Sequence, residues 1–375
     1  MKFTCEKAAI RSAVSLVAKY ADTRGHIPII GHLLVKAEGD QVSVTATDLD
    51  KAATAIFPAK IEVEGSACII ADTVERATAQ FTGSEFSLTV ADDWATVVSG
   101  KARLKSPTLP TTDFPTELAM LNGEANCCFS LPADLLESVW KRVGFAIGKD
   151  LSRPYLQGVL AAREGDKLQF VATDGKQLSV LETSAPEGVG ILPEGCIPLI
   201  QFPDWKGDVE VQFGETFARF TASGVTIATK LLETGFPDFW RRAIPDNKTS
   251  LIFDREELGK CAARVSINAT GVRGSNSILM VGRDGVVTLS TENDRGEVSD
   301  QIPYDGDDFE IAFAGTILRP ALAALECEML EFLCGDSGAT GLFRKPNDDT
   351  HRIALWPYRD HRLGSLKHKD DGDAE

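Results

Sequence analysis

The feature that most constrains this chain is an internal repeat. Residues 27–50 and residues 153–176 share one succession of apolar, glycine and aspartate positions, so that Pro28 and Asp48 return 126 positions later as Pro154 and Asp174. A repeat of that length is the size of a compact domain, which commonly holds about 100–150 residues. Since the chain has 375 residues, we predict three copies of one domain.

Each predicted domain begins in the same way. Phe3, Phe129 and Phe253 each belong to a short apolar stretch that predicts a strand, and a segment with apolar residues at helical spacing follows it. The apolar faces of these predicted helices are Ile10, Val14 and Val17, then Leu136, Val139 and Val143, then Leu258, Cys261 and Val265.

Paired strands are predicted after each leading helix, around turns at residues 39–40, 165–166 and 284–285. A second helix is predicted at 72–81 in the first domain and at 315–325 in the third. Residues 198–207 stand at the corresponding place in the second domain, where two prolines and a glycine argue against a full helix.

These patterns predict an α+β fold with domains at residues 1–122, 123–247 and 248–360. Linkers are expected near residues 117–125 and 246–249. The polar and charged residues 361–375 predict a disordered tail.

Charge and composition narrow the classes of function. A net charge of −16 argues against binding nucleic acid over the whole surface, so any DNA contact must use a local basic region. No apolar run approaches the roughly 18 residues of a membrane helix, and the N-terminal residues lack the apolar core of a signal peptide. The eight cysteines form no C-x-x-C pair and the five histidines have no ligand spacing. We therefore expect no metal, no cofactor, no membrane partner and a cytoplasmic location.

One alternative is an enzyme that uses the two aspartates of the repeat. Asp48 and Asp174 occupy equivalent positions of the repeat, which leaves open a catalytic carboxylate pair; the structural alternative is that each caps a turn at a strand end. The chain contains no G-x-S-x-G, H-E-x-x-H or G-x-G-x-x-G. We therefore predict that the protein is not an enzyme.

Motifs along residues 1–359 resemble, in order, those of one family. They lie at the start of the chain, at strand ends, at the ends of the first two domains and in the last predicted strand. The matching segments are residues 1–6, 46–49, 100–103, 108–110, 113–115, 171–175, 236–238, 242, 244–245 and 354–359. Together they resemble the beta sliding clamp of bacterial DNA polymerase III.

The resemblance implies the DNA clamp fold, with three two-helix, two-sheet domains per chain and two chains closed head to tail as a homodimeric ring. It implies a processivity factor of DNA replication that encircles double-stranded DNA without sequence preference. The implied partners are the catalytic subunit of DNA polymerase III, the clamp loader and other proteins with a clamp-binding motif. An accessory clamp paralogue of the plasmid or phage type, with altered partner choice, is the alternative within this class.

Cations on equivalent loops are the expected DNA contacts. Arg24 lies in the loop before Pro28, and Lys149 and Arg153 lie in the equivalent loop before Pro154. Supporting cations on the three leading helices are Lys7, Arg11, Lys141, Lys260 and Arg264. Weak phosphate contacts of this kind suit a ring that slides, whereas the alternative is that these are ordinary solvated surface charges.

The resemblance also implies a cleft that binds partner peptides between the second and third domains. The matching positions are Leu156, Thr173, Gly175, Leu178, Pro237, Arg242, Leu355, Trp356, Pro357, Tyr358 and Arg359. Apolar walls can bury an anchor side chain of a peptide. The alternative is that Leu355, Trp356 and Tyr358 are core residues of the last strand, although strand alternation argues against all three pointing inward.

The chain departs from the family pattern in four places. The second helix of the second domain is shortened, Trp240 is inserted before Arg241 and Arg242, and the chain runs 16 residues beyond Arg359. At the implied dimer interface, where the family has apolar pairs, the residues are Leu104 with Ser106 and Ile267 with Asn268. We expect the polar members to weaken the dimer, because they remove apolar area from the interface.

Overall fold

The computed structural model describes residues 1–116, 124–232, 235–268, 277–293 and 296–364. The helices are α1 (Lys7–Val17), α2 (Ala71–Gln80), α3 (Ala133–Val143), α4 (Trp240–Ala243), α5 (Arg255–Val265) and α6 (Gly315–Ala324). Short 3-10 turns lie at Ala18–Tyr20, Pro28–Gly31, Thr111–Asp113, Gly144–Ala146, Pro154–Leu156 and Ser266–Asn268.

The strands are β1 (Lys2–Glu6), β2 (His32–Glu38), β3 (Gln41–Thr47), β4 (Lys51–Pro58), β5 (Lys60–Val63), β6 (Gly65–Ile70), β7 (Glu85–Ala91), β8 (Trp94–Ser99), β9 (Ala102–Leu109), β10 (Cys127–Pro132), β11 (Gly158–Glu164), β12 (Lys167–Thr173), β13 (Gln177–Ser184), β14 (Ile197–Pro198), β15 (Asp208–Phe213), β16 (Phe217–Ala222), β17 (Val225–Lys230), β18 (Thr249–Asp254), β19 (Ser277–Arg283), β20 (Val286–Asn293), β21 (Gly296–Pro303), β22 (Phe309–Ala314), β23 (Met329–Cys334), β24 (Gly341–Lys345) and β25 (Asp348–Leu355).

The first of two compact units is built on one antiparallel sheet. It holds the described residues of Met1–Leu136, Pro186–Pro193 and Ile200–Leu231. The strand order is β10-β15-β16-β17-β4-β3-β2-β6-β9-β8-β7-β1-β5. β17 pairs with β4, with Val225 opposite Ala55, so strands of the first two predicted domains share this sheet.

The second compact unit contains two sheets. It holds Glu137–Ala185, Glu194–Leu199 and the described residues from Leu232 onward. One sheet has the order β14-β11-β12-β13-β25-β24-β23-β18 and the other the order β21-β20-β19-β22. Gln177 of β13 pairs with Leu355 of β25, so strands of the second and third predicted domains share the larger sheet. The predicted boundary between residues 122 and 123 lies outside the described residues.

The predicted leading helices and hairpins are confirmed. The apolar faces of α1, α3 and α5 are buried, as the helical spacing of their apolar residues predicts. Gly39 and Gly165 open their hairpin turns at φ +62° and +63°, and Asp284 and Gly285 both have positive φ. Positive φ at these positions is what two-residue hairpin turns require.

The prediction that residues 198–207 form no full helix is also confirmed. Residues 199–206 contain neither helix nor strand, and an aromatic group takes the place of a helix in the first compact unit. The ring of Phe202 lies 5.5 Å from that of Trp205 and 4.9 Å, edge on, from that of Phe220 on β16.

The prediction that the tail is disordered from residue 361 is wrong for residues 361–364. These residues form a turn, and Arg362 makes hydrogen bonds to Asp360 and to Ser290 on β20. The reason is a local ion pair, which a reading of composition alone does not reveal. Residues 365–375 lie outside the described part of the chain.

Candidate partner cleft, DNA contacts and dimer edges

Three of the predicted cleft residues meet in an apolar cluster of the second compact unit, here called the cleft cluster. Leu156 from the 3-10 turn before β11 and Leu178 from β13 are buried in it, and Trp356, just after β25, is packed against it while half-buried. The other members of the cluster are Leu160, Val171, Val180, Cys196, Phe236, Trp240, Leu333, Leu342 and Ala354. The cluster therefore joins side chains that are far apart in the sequence.

The last strand divides its side chains between two cores. Ile353 and Leu355 belong to the core of the third domain, and Ala354 belongs to the cleft cluster. The prediction that Leu355 lines the cleft is wrong, because successive side chains of a strand point to opposite faces. The sequence-based prediction did not include Ala354 and Trp240 among the cleft residues. The alternation of side chains along β25 could have identified Ala354.

Thr173 and Gly175 shape the turn beside the cleft cluster. The Thr173 hydroxyl donates to the carbonyl oxygen of Gln177 at 2.6 Å and accepts from the backbone N–H of Gly175 at 3.1 Å. Thr173 is fully buried, so its predicted place as a cleft contact is corrected to that of a turn anchor. Gly175 has φ +87°, and a Cβ there would lie 3.2 Å from Nη1 of Arg153.

The two repeat aspartates have the same turn-capping role. Oδ1 of Asp174 accepts from the backbone N–H of Lys176 at 2.7 Å and of Gln177 at 3.0 Å. Oδ1 of Asp48 accepts in the same way from Asp50 at 3.0 Å and Lys51 at 2.6 Å. These bonds match the structural alternative, in which each carboxylate satisfies backbone donors of a strand-end turn.

The inserted Trp240 settles the position of the neighbouring arginines. Its side chain is buried in the cleft cluster, and the Arg241 guanidinium lies over its ring at 4.7 Å while pairing with Asp238 at 2.9 Å. Arg242 is exposed, and within the described residues no ion pair includes it. Arg242 is therefore the arginine that remains available at this rim.

The remaining predicted cleft residues lie at the surface. Pro237 and Pro357 are half-buried and Arg359 is exposed. Tyr358 is 43% exposed. The expectation that Leu355, Trp356 and Tyr358 would not all point inward is confirmed.

The predicted DNA-contact cations fall into two groups. Several already bind acceptors within the protein. Lys7 donates to the carbonyl oxygen of Phe81 at the end of α2. The ion pairs are Lys141 with Glu326, Lys260 with Glu256, Arg153 with Asp150, and Arg264 with Asp300. Arg11, Arg24 and Lys149 are exposed, with no ion pair in the described chain. Because exposed ion pairs contribute only about 0–1 kcal/mol, the paired cations can still exchange a carboxylate for a phosphate.

The predicted interface residues differ in exposure. Ile267 is 78% exposed on the turn after α5, whereas Ser106 is only 4% exposed. The side chain of Ser106 is thus covered by its own domain, and its place at the dimer interface stays a prediction. Leu104 is half-buried on β9, and the side chain of Asn268 lies outside the described residues. Residues 102–107 of β9 pair with β8 on one side, and in the described chain their other edge has no strand partner.

The described residues offer neither a metal-binding cluster nor a membrane-spanning helix. Among the described residues, no group of three or more His, Cys, Asp or Glu side chains is placed to hold a metal ion. Within the same residues, no helix combines the length and the apolar character needed to cross a membrane.

Comparison with known proteins places this chain in a family. Residues 1–119 match the N-terminal domain of the DNA polymerase III beta subunit, and residues 130–238 match its central domain. The beta sliding clamp of Caulobacter vibrioides is 29% identical over 376 residues, with 96% of this chain and 100% of that protein covered. The sliding clamp of Pseudomonas aeruginosa is 26% identical over 381 residues with the same coverage.

Solved structures agree with the sequence matches. The crystal structure of a sliding clamp from Bartonella birtlesii bound to griselimycin has a TM-score of 0.89 at 28% identity, covering 96% of this chain and 100% of that one. A Caulobacter crescentus beta sliding clamp has a TM-score of 0.87 at 27% identity with the same coverage. The chain therefore belongs to the beta sliding clamp family, the DNA sliding clamps that give DNA polymerase III its processivity.

Proposed function

We propose that two copies of this chain close head to tail into a ring around double-stranded DNA, and that the cleft cluster binds motif peptides of partner proteins. The proposal rests on two exposed features. The third predicted domain has an exposed apolar side chain, and the first has an unpaired strand edge. Ile267 is 78% exposed, and residues 102–107 of β9 have no strand partner on the side away from β8 within the described residues. A second copy would cover both.

The strand order supports a head-to-tail contact. β21 is the outermost strand of the four-stranded sheet, so its free edge can pair with β9 of a second copy. Burying Ile267 there would contribute about 1.5–3 kcal/mol relative to leaving it in water. Since Ser106 is buried in its own domain, the expected weakening of the dimer rests on Asn268.

The cations supply weak contacts to DNA. Arg11, Arg24 and Lys149 are exposed, and flexible cations of this kind contact phosphates without reading sequence. A closed ring needs no tight grip, because it cannot leave the duplex without opening. The net charge of −16 limits other DNA binding.

The partners are proposed from the chemistry of the cleft cluster. A half-buried tryptophan beside buried leucines can receive an apolar anchor, and Arg242 at the rim can pair with an acidic or polar motif residue. We propose the catalytic subunit of DNA polymerase III and other clamp-motif proteins as the occupants. A clamp loader would open the ring, and the cytoplasm is the proposed place of action.

A test of topology decides whether the ring forms. Labelled protein placed on nicked circular DNA by a clamp loader should stay with the DNA through gel filtration in high salt. It should be lost after a restriction enzyme linearises the circle, because a ring slides off a free end. Loss from the uncut circle under the same conditions would refute the proposal.

An accessory clamp is the second candidate. The absent helix at residues 199–206 and the bulky Trp356 and Tyr358 favour altered partner choice. In primer extension by DNA polymerase III, a replicative clamp supports long products. An accessory clamp would stay on circular DNA in the topology test but would leave the products short.

A further inference from the structure

The segment after β25 is tied to two different parts of the second compact unit. The backbone N–H of Trp356 donates to the carbonyl oxygen of Lys176 at 3.0 Å, in the turn between β12 and β13. The backbone N–H of Tyr358 donates to the carbonyl oxygen of Ala312 on β22 at 2.7 Å. Residues 356–359, here called the cleft segment, thus leave the larger sheet and continue along the edge of the four-stranded sheet.

A buried ion pair follows the cleft segment directly. Asp360 is 7% exposed, and its carboxylate accepts from Nε and Nη2 of Arg362 at 3.0 and 2.7 Å. It also accepts from the hydroxyl of Ser277 on β19. Burial raises the pKa of Asp360, but the hydrogen bonds from Arg362 and Ser277 outweigh it and hold that pKa below its usual range.

The same turn reaches two more strands. Nη1 of Arg362 donates to the hydroxyl of Ser290 on β20 at 3.1 Å, and the backbone N–H of Gly364 donates to Oε1 of Glu310 on β22 at 2.9 Å. Residues 360–364, here called the C-terminal latch, are therefore fastened to three of the four strands of this sheet. A buried pair with this many satisfied bonds fixes one geometry.

We propose that the C-terminal latch positions the cleft segment for partner binding. Without an anchor beyond Arg359, the cleft segment would be a chain end, and chain ends fray unless they are tied down. Order imposed before a partner arrives lowers the entropy cost of binding. This inference rests on the proposed function of the cleft cluster, and it assigns to Asp360 and Arg362 a positioning role without peptide contact.

Two truncations of the full chain separate the latch from the rest of the tail. Removing residues 360–375 deletes the latch, whereas removing residues 365–375 keeps it and serves as the matched control. Binding of a fluorescent Gln-Leu-Asp-Leu-Phe peptide should weaken about tenfold in the first variant, or about 1.4 kcal/mol, and stay unchanged in the control. The double substitution of Asp360→Asn and Arg362→Gln should behave like the first truncation, because it removes both charges of the buried ion pair.

Hydrogen–deuterium exchange measures, in the absence of peptide, whether the C-terminal latch orders the cleft segment. The amide of Tyr358 should exchange faster when residues 360–375 are removed and should stay protected in the control. Equal protection in both truncations, or peptide binding that is unchanged or tighter without the latch, would overturn the inference. If the full chain binds no peptide, the cleft assignment fails and the positioning role falls with it, while the exchange result shows separately whether the latch holds the segment.

Discussion

Replacing Leu355 or its neighbour Trp356 with alanine should have different effects. The first change should lower stability, and the second should weaken peptide binding. Leu355 is completely buried in the core of the third domain, where Phe313, Phe332 and Phe343 also lie. Leu355→Ala removes three carbon atoms, and at about 0.8 kcal/mol for each the transfer loss is about 2.4 kcal/mol. The cavity left behind brings the expected loss of stability to about 2–5 kcal/mol.

Trp356→Ala should cost binding instead of stability. Trp356 is half-buried at the surface of the cleft cluster, so the folded chain should lose about 1 kcal/mol. An aromatic anchor at an interface contributes about 2 kcal/mol or more, which corresponds to about 30-fold weaker peptide binding. The buried Leu178 would be a poor probe, since a charge at this fully covered position would unfold the cluster.

The assay compares both variants with the unmodified chain. Urea unfolding followed by circular dichroism gives the shift in midpoint, and fluorescence anisotropy with the Gln-Leu-Asp-Leu-Phe peptide gives the dissociation constant. Leu355→Ala should shift the midpoint and leave binding by the folded fraction within about threefold, a change of under 1 kcal/mol. If Trp356→Ala proves as destabilising as Leu355→Ala and binds peptide normally, the assignment of Trp356 to the peptide cleft is refuted.

Three further predictions concern the ring, its DNA contacts and the latch. Ile267→Asp should turn a dimer into monomers in sedimentation velocity, while Ile191→Asp, at an even more exposed loop position, should not; a dimer in both would remove Ile267 from the interface. Replacing Arg24 and Lys149 with Ala should lower the slope of log K against log salt for DNA by about 2, and an unchanged slope would show that neither contacts phosphate. Because the pKa of Asp360 is held low, its contribution to stability is complete above the unfolded pKa of about 3.9 and is lost as the pH falls below it. Unfolding by urea at decreasing pH should show a steeper loss of stability in the unmodified chain than in Asp360→Asn.

The sequence by itself determined the repeated architecture and the local structure. The offset of 126 residues predicted that Asp48 and Asp174 would have one role, and both carboxylates cap the same turn. Helix faces, hairpin turns and the missing helix of the second domain followed from spacing, glycine and proline. These features depend on interactions between residues only a few positions apart, so they can be predicted from the sequence alone.

Only the tertiary structure decided which faces and charges remain for partners. Strand alternation puts Ala354 and Leu355 on opposite faces of β25, but only the packing on each face decides that Ala354 meets the cleft cluster and Leu355 the core of the third domain. Lys141 meets Glu326, 185 positions away, at 2.7 Å, and the buried Asp360 accepts from the hydroxyl of Ser277, 83 positions earlier. Burial and pairing of this kind depend on packing between residues far apart in the sequence, so local spacing cannot predict them.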